Sequence, residues 1–279
     1  MIARIIGAAA RGFLVALLIA TPALVLPGVT NDSTQITLLV ALLASLLTFS
    51  EYNTNAPSIV EFRDAAPFNR LRFAALFLTV YLLTMICKGT VDPTATTRAL
   101  SAVGTIIGNA IDFPFSPVRL AVLMLPADSS LETINTVRSA AGMAYLSSLI
   151  AMTAFIVMVR LMGWPTRRGA FNVWINLPLF DPTAGGDVLD HLQRDARVNI
   201  AIGFLLPFLI PAVVKLAADL IQPVMLENHQ TLIWTMSAWA FLPASMIMRG
   251  VAMHRIAEMI EEQRRRVYAA NAEPGMHPA

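Results

Sequence analysis

The sequence predicts an all-α, polytopic integral membrane protein with about six transmembrane helices, both termini inside, and an amphipathic helix at the outside surface. Hydrophobic residues make up 56% of the 279 residues and charged residues only 14%, whereas soluble domains carry about 25% charged residues. The mean hydropathy is +0.64. Six stretches are long and apolar, and the arginines concentrate at the N-terminus, in every second segment that connects these stretches, and after the last one. Together these features favour a multi-pass membrane protein.

The six apolar stretches have the length that a bilayer requires. A transmembrane helix needs about 20 mostly apolar residues. We expect the spans to form a single helical domain, residues 1–268, and residues 269–279 to form a flexible cytoplasmic tail. The predicted spans are residues 11–30, 34–50, 71–88, 139–163, 198–221 and 231–253.

The first span could instead be a signal peptide, because Arg4 and Arg11 precede its apolar stretch. No clear cleavage site of small residues follows, and Pro22 and Pro27 interrupt the region. Another apolar segment begins a few residues later. The sequence therefore favours a retained helix that pairs with its successor.

The basic residues predict the orientation. With the N-terminus inside, 15 of the 20 lysines and arginines fall on the inside and 4 on the outside, and Lys215 lies within the fifth span. The predicted outside hairpins 28–33 and 222–230 contain no basic residue. Cytoplasmic loops carry the excess of Lys and Arg. We therefore expect a protein of the cell inner membrane with both termini in the cytoplasm.

The long outside loop contains an amphipathic segment, residues 99–113. Its apolar and polar residues fall on opposite helical faces, so we expect it to lie on the membrane surface. A GxxxG pair at its edge is a weak indication of helix dimerisation. Residues 114–126 are apolar but too short to cross, so we expect them to dip into the interface or re-enter. The apolar face comprises Leu100, Val103, Ile107, Ala110 and Ile111, the polar face Ser101, Thr105, Asn109 and Asp112, and the pair is Gly104 and Gly108.

The fifth span carries the residues that a transporter or channel would use: Pro207, Pro211, Lys215 and Asp219. Each proline removes a backbone donor and opens a carbonyl near mid-membrane. A charge inside the bilayer often marks a pathway. However, Lys215 lies about 22 Å along the helix from Ile200, close to the far interface of a core about 30 Å thick. We therefore favour an interfacial Lys215–Asp219 pair.

The two predicted inside loops, residues 50–70 and 165–197, combine aromatic residues with charges of both signs. Aromatic residues and arginine are enriched at protein interfaces, so we expect these loops to form a partner-binding surface. The alternative is that the loops pack on each other as a lid over the helices. The partner-binding candidates are Tyr52, Phe62, Arg63, Phe171, Trp174 and Asp181.

Evidence for catalysis is weak. The sequence contains none of the common nucleotide, hydrolase or zinc motifs, and its single cysteine, Cys87, precludes a disulfide. Asp187, His191 and Asp195 are spaced four apart and form a weak candidate for a metal site. Helix capping by Asp187 accounts for this pattern more simply. We expect no metal and no cofactor.

The last span continues past the membrane as an amphipathic helix, residues 253–268. Glu261 precedes Arg265 by four residues, which is the favourable order for a helix.

Three classes of function remain open. We expect a non-enzymatic accessory, assembly or scaffold component of a larger membrane complex. The alternative is a small oligomeric transporter or channel, and a membrane enzyme ranks third. The expected partners are the lipid bilayer and either another membrane protein or a second copy of the chain. A net charge of +2 gives no reason to expect nucleic acid.

Overall fold

A computed structural model describes residues 2–55, 58–165, 176–178, 180, 187–218 and 226–272. Within these ranges the secondary structure is helical and contains no strand. The helices are α1 (Ile2–Val25), α2 (Asn31–Asn53), α3 (Phe68–Val91), α4 (Ala95–Ile111), α5 (Pro117–Val122), α6 (Leu131–Leu161), α7 (Val188–Ala218) and α8 (His229–Ala272).

Six of the helices are long and apolar enough to cross a membrane: α1, α2, α3, α6, α7 and α8. A helix is therefore confirmed at each of the six predicted spans, and the fold is compatible with a multi-pass membrane protein. The first span was predicted at 11–30, whereas α1 begins at Ile2 and ends at Val25. Residues 219–221 of the fifth predicted span lie outside the described residues. Most helices extend beyond the apolar stretch because polar residues cap them. For example, α6 begins at Leu131, where the Ser130 hydroxyl accepts a hydrogen bond from the Thr133 N–H at 3.1 Å.

The last helix, α8, is 44 residues long, which corresponds to about 66 Å. This is roughly twice the thickness of the hydrocarbon core. The predicted continuation past the membrane is thus confirmed as helix, with Arg265 and Glu261 paired at 2.9 Å. The helix includes residues 269–272, which we had assigned to the flexible tail. Residues 273–279 lie outside the described part of the chain.

The interior contains two hydrophobic cores. One joins α3, α5, α6 and α8, with Leu83, Val137 and Ile233 at its centre. The other lies where the loop 54–67 connects α2 to α3, and it packs that loop against α6, α7 and α8. We call this side the arginine-rich end, and we call the side carrying α4 and α5 the opposite end.

At the opposite end, α4 packs against α3 and α6 through its smallest residues. Gly104 and Gly108 are buried, and a Cβ added to Gly142 of α6 would lie 2.6 Å from the Gly108 Cα. The GxxxG pair therefore serves contacts within the chain. Part of the predicted apolar face stays open, with Val103 46% exposed. The glycine edge is buried instead because it lets two backbones approach closely.

Part of the segment 114–126 is buried within the protein. Its residues Pro117–Val122 form the short helix α5, which packs on α6 and α7 with Val118 and Ala121 fully buried, whereas Phe115 and Leu123 are exposed. Asp112 precedes it with a side chain 5% exposed, and the Nε atoms of Arg119 and Arg138 each lie 2.7 Å from its carboxylate. The two arginines neutralise the buried carboxylate and fix the α4–α5 turn to α6.

The helix pairs α1–α2 and α7–α8 are the closest antiparallel neighbours along the chain. In α7–α8, added Cβ atoms on Gly203 and Gly250 would lie 2.7 Å from the carbonyl oxygens of Pro243 and Ala196. The hairpin α1–α2 is peripheral, since only 6% of the α2 span is buried within the chain, compared with 56% of the α8 span.

Candidate functional site

At the arginine-rich end, the loop 54–67 folds back over the end of α2. The Arg63 guanidinium donates to the carbonyls of Glu51 at 2.7 Å, Thr54 at 3.0 Å and Asn55 at 3.0 Å. The last carbonyls of a helix have no partner inside the helix. Arg63, with a side chain 8% exposed, supplies a donor to the Glu51 carbonyl in the last turn of α2 and to the two carbonyls that follow the helix, and so closes the loop.

The Glu51 carboxylate closes the same loop from the other side. It accepts hydrogen bonds from the backbone N–H groups of Ser58 at 3.0 Å, Ile59 at 3.2 Å and Val60 at 3.3 Å. Hydrogen bonds to an ionised group are stronger than neutral ones. Residues 58–60 are therefore bonded to the end of α2.

An aromatic cluster lies beneath the loop. Phe62 is fully buried, and its ring centroid is 4.6 Å from that of Phe68 in an edge-to-face contact. Trp164 joins the cluster and donates its indole N–H to the Ala65 carbonyl at 3.1 Å. The Phe62 N–H donates to the Asn176 carbonyl at 2.7 Å. The cluster thus attaches the loop to the segment that follows α6.

Two ion pairs tie this end to α8. Arg249 donates twice to Glu61, at 2.6 and 2.8 Å. Farther along α8, Arg264 donates twice to Asp187, at 2.6 and 2.7 Å. The Arg264 guanidinium and the Leu189 N–H lower the pKa of Asp187 from its ordinary 3.8 to about 2. Asp187 therefore remains ionised in all but strongly acidic solution.

The predicted partner-binding residues divide into three groups. Phe62 and Arg63 are buried and bonded within the chain, which favours the alternative that the loops form a lid. Tyr52 is partly buried, with the Arg11 guanidinium 4.7 Å from its ring centroid. Phe171, Trp174 and Asp181 lie outside the described residues.

Asp187, the first residue of the weak metal candidate at the start of α7, has a structural role. Asp187 accepts the Leu189 N–H at 3.0 Å, as expected of a capping residue, and both of its carboxylate oxygens face Arg264. No group of three His, Cys, Asp or Glu residues suited to a metal ion occurs among the described residues. Asp187, His191 and Asp195 are thus not brought together as a ligand set.

The carbonyl that Pro211 opens in α7 has a donor on a neighbouring helix. Because Pro211 has no N–H, the carbonyl four residues earlier, on Pro207, loses its helical donor. Trp239 of α8 supplies the replacement, with its Nε1 3.1 Å from that oxygen. Trp239 is 2% exposed and stacks on Tyr145. Our sequence analysis missed Trp239, although a tryptophan in an apolar span is a donor that requires an acceptor.

Lys215 also has a partner within the chain. Its Nζ donates to the Leu125 carbonyl at 3.2 Å, just past α5 at the opposite end. This position agrees with an interfacial rather than a mid-membrane charge. Asp219, its predicted partner, lies outside the described residues.

A cavity of about 490 Å³ opens at the arginine-rich end, between the start of α1, the end of α2 and the loop 54–67. One signal for it is visible in the sequence, since Arg4 and Arg11 are seven residues apart and so share a helical face. The contribution of the loop required the fold. The side chains that define its chemistry are Arg4, Arg11, Tyr52, Asn55, Arg63 and Asp64.

The charged groups of the described residues thus lie toward the two ends of the spans, and the apolar middle is closed by packing and by the Trp239 hydrogen bond. No protein-family model, no curated protein and no solved structure matches this chain, and its function is therefore inferred from this geometry.

Proposed function

We propose that the protein is a non-enzymatic accessory, assembly or scaffold component of a larger membrane complex. In this proposal it spans the cell inner membrane with both termini in the cytoplasm, as the distribution of 15 basic residues against 4 favours. The arginine-rich end then faces the cytoplasm, and the partner is another membrane protein or a second copy of the chain.

The observation that carries the proposal is the helical extension of α8. Beyond the predicted end of the span at residue 253, α8 continues to Ala272, a length of about 30 Å. We call residues 254–272 the arm. Near its base, Ile256 and Ala257 are buried in the second core, and Arg264 is bonded to Asp187. From Glu262 to Ala269 the side chains are exposed. A helical segment this short is only marginally stable by itself in water, so a partner that packs along it would stabilise it.

The surface of the arm has the composition of an interface. Side chains from Glu262 to Tyr268 are exposed, including Val267 at 47% and Tyr268 at 71%. Arginines stand beside them at Arg265 and Arg266, and aromatic residues with arginine are enriched where proteins bind each other.

The alternative, an oligomeric transporter or channel, has less support. The carbonyl opened by Pro211 has a donor in Trp239, and Lys215 is bonded to Leu125 near a helix end. Ion and proton pathways use charged groups at mid-membrane that face a cavity. The described residues provide no such group there.

The test is affinity purification of the tagged full chain from membranes in mild detergent. The variant Val267→Ser/Tyr268→Ala should lose the co-purifying partner while the purified protein melts at the wild-type temperature. The matched control, Leu131→Ser, changes a 78% exposed apolar residue at the opposite end and should retain the partner. Recovery of no protein above the background of an unrelated tagged membrane protein, or full retention by the arm variant, would contradict the proposal.

A further inference from the structure

The cavity at the arginine-rich end has an excess of positive charge. Three arginines and one aspartate line it, which leaves two net positive charges. Arg63 is committed to the carbonyls of α2, and its Nε lies 3.4 Å from Asp64. Among the described residues, Arg4 and Arg11 have no carboxylate partner: Arg4 donates to the Asn55 side chain, and Arg11 donates to the Gly7 carbonyl at 2.7 Å.

The polar groups around these arginines suit an oxyanion. A guanidinium presents five N–H donors in a planar fork that matches a phosphate. Among the described residues, Arg4 and Arg11 each use one of these donors in the hydrogen bonds above, and both side chains line the cavity. Asn55 and Tyr52 add a side-chain amide and a hydroxyl to the lining. The volume, about 490 Å³, lies within the usual range for a small-molecule site.

The cavity continues into an apolar surface. On α1, Ala3, Gly7 and Arg11 face the cavity, and Leu14 follows on the same helical face, 42% exposed. Phe13, 65% exposed, lies about 100° around α1 from Leu14, away from the cavity face. A soluble anion would gain nothing from this surface, whereas the acyl chains of a lipid would lie along it.

We propose that this cavity binds the phosphate headgroup of an anionic phospholipid, with the acyl chains along the exposed side of α1. Basic pockets between transmembrane helices on the cytoplasmic side are suited to such headgroups. The positive charge of the cavity disfavours the cationic headgroup of a zwitterionic lipid. The proposal rests on the chain spanning a membrane but not on the accessory role, so either can fail without the other.

The first test uses the purified wild-type full chain in mild detergent, with thermal unfolding and native mass spectrometry as readouts. Phosphatidylglycerol should raise the melting temperature in a concentration-dependent way and remain bound in the mass spectrum, and phosphatidylcholine should do neither. Inorganic phosphate and glycerol 3-phosphate are the soluble arms. If they raise the melting temperature as much as phosphatidylglycerol does, the occupant is a soluble phosphate and the lipid assignment is wrong.

The second test removes the two available arginines. Arg4→Gln/Arg11→Gln should weaken phosphatidylglycerol binding at least about tenfold, because the phosphate loses the charge-assisted hydrogen bonds of both guanidinium groups. The control Arg160→Gln/Arg197→Gln removes the same charge from exposed positions outside the cavity and should bind as wild type. Equal weakening in both would show that the lipid responds only to overall charge.

If the double variant does not fold, Arg4→Lys/Arg11→Lys replaces it, since lysine keeps the charge and loses the planar fork. This variant should bind phosphatidylglycerol more weakly than both the wild type and the Arg160→Gln/Arg197→Gln control. Wild-type affinity in the lysine variant would contradict recognition of a phosphate by the two guanidinium groups.

Discussion

The hydrogen bond from Trp239 to the Pro207 carbonyl allows a quantitative test of how the kink in α7 is stabilised. Trp239→Phe keeps an aromatic ring at a site that is 2% exposed but removes the donor that lies 3.1 Å from the oxygen. Leaving a buried carbonyl without a partner costs about 1–3 kcal/mol. Hydrogen bonds between membrane helices contribute about 0.6 kcal/mol on average and at most about 1.7. We expect the lost bond to cost about 1 kcal/mol.

The loss of ring volume adds to this cost, so the hydrogen bond must be isolated by a double-mutant cycle. Pro211→Ala restores an N–H at the position whose helical acceptor is the Pro207 carbonyl. In that background the carbonyl retains a donor when Trp239 is replaced. Trp239→Phe should therefore cost about 1 kcal/mol less in the Ala background than in wild type, while the packing loss is common to both.

Pro207→Ala is the matched control for the cycle. Its new N–H faces the Gly203 carbonyl, four residues earlier, and not the oxygen that Trp239 contacts. In this background Trp239→Phe should keep its full cost. The assay is reversible unfolding of the purified protein in mixed micelles, with the free energy of unfolding measured for each variant. Equal costs of Trp239→Phe in all three backgrounds would refute the reasoning.

Three further predictions concern helix packing, the loop and the Asp187 ion pair. Gly250→Leu should lower the melting temperature by several degrees, since even a Cβ would lie 2.7 Å from the Ala196 carbonyl; an unchanged melt would contradict the α7–α8 contact. Arg63→Ala should expose the loop 54–67 to limited proteolysis without unfolding the helices, because the last α2 carbonyls lose their donors; a wild-type cleavage rate would contradict its capping role. Asp187→Asn should lower the melting temperature at neutral pH. The lowered pKa means that the wild-type advantage is present above pH 3.8 and is lost as the pH falls through about 2. A difference that disappears near pH 6 would exclude Asp187 as its source.

The spans could be predicted from the sequence because their signal is local. Length and apolar composition are sufficient to identify a membrane helix, and serine caps such as Ser130 are adjacent to the helices they begin. The continuation of α8 was also readable, since Glu261 and Arg265 are one helical turn apart. In each case the residues that carry the signal lie within a few positions of one another.

The contacts between distant segments could not be predicted in this way. The loop that contains Arg63 mixes aromatic and charged residues, which is the composition of an interface. In the structure, however, the Arg63 guanidinium binds the carbonyls at the end of α2. Composition does not separate a buried lid from an exposed binding surface, because both require aromatic rings and arginines. Likewise, the sequence shows that Pro211 leaves a carbonyl without a donor, but only the packing of α7 on α8 identifies Trp239 as its replacement.

Contacts between distant segments, rather than apolar composition, also hold the peripheral hairpin α1–α2 in place. Lipid tails are as apolar as leucine side chains, so burial of apolar surface gives little preference for the bundle over the bilayer. Close backbone contact holds the two helices to each other, since a Cβ on Gly12 would lie 2.8 Å from the Ser45 carbonyl. Attachment of α2 to α8 includes a polar contact at the opposite end, where Ser33 donates to Gln230 at 2.7 Å. At the arginine-rich end the corresponding position is the cavity between the hairpin and the loop. A phosphate bound there would link both helices to the loop, so the ligand would stabilise the position of the hairpin as well as occupy the site.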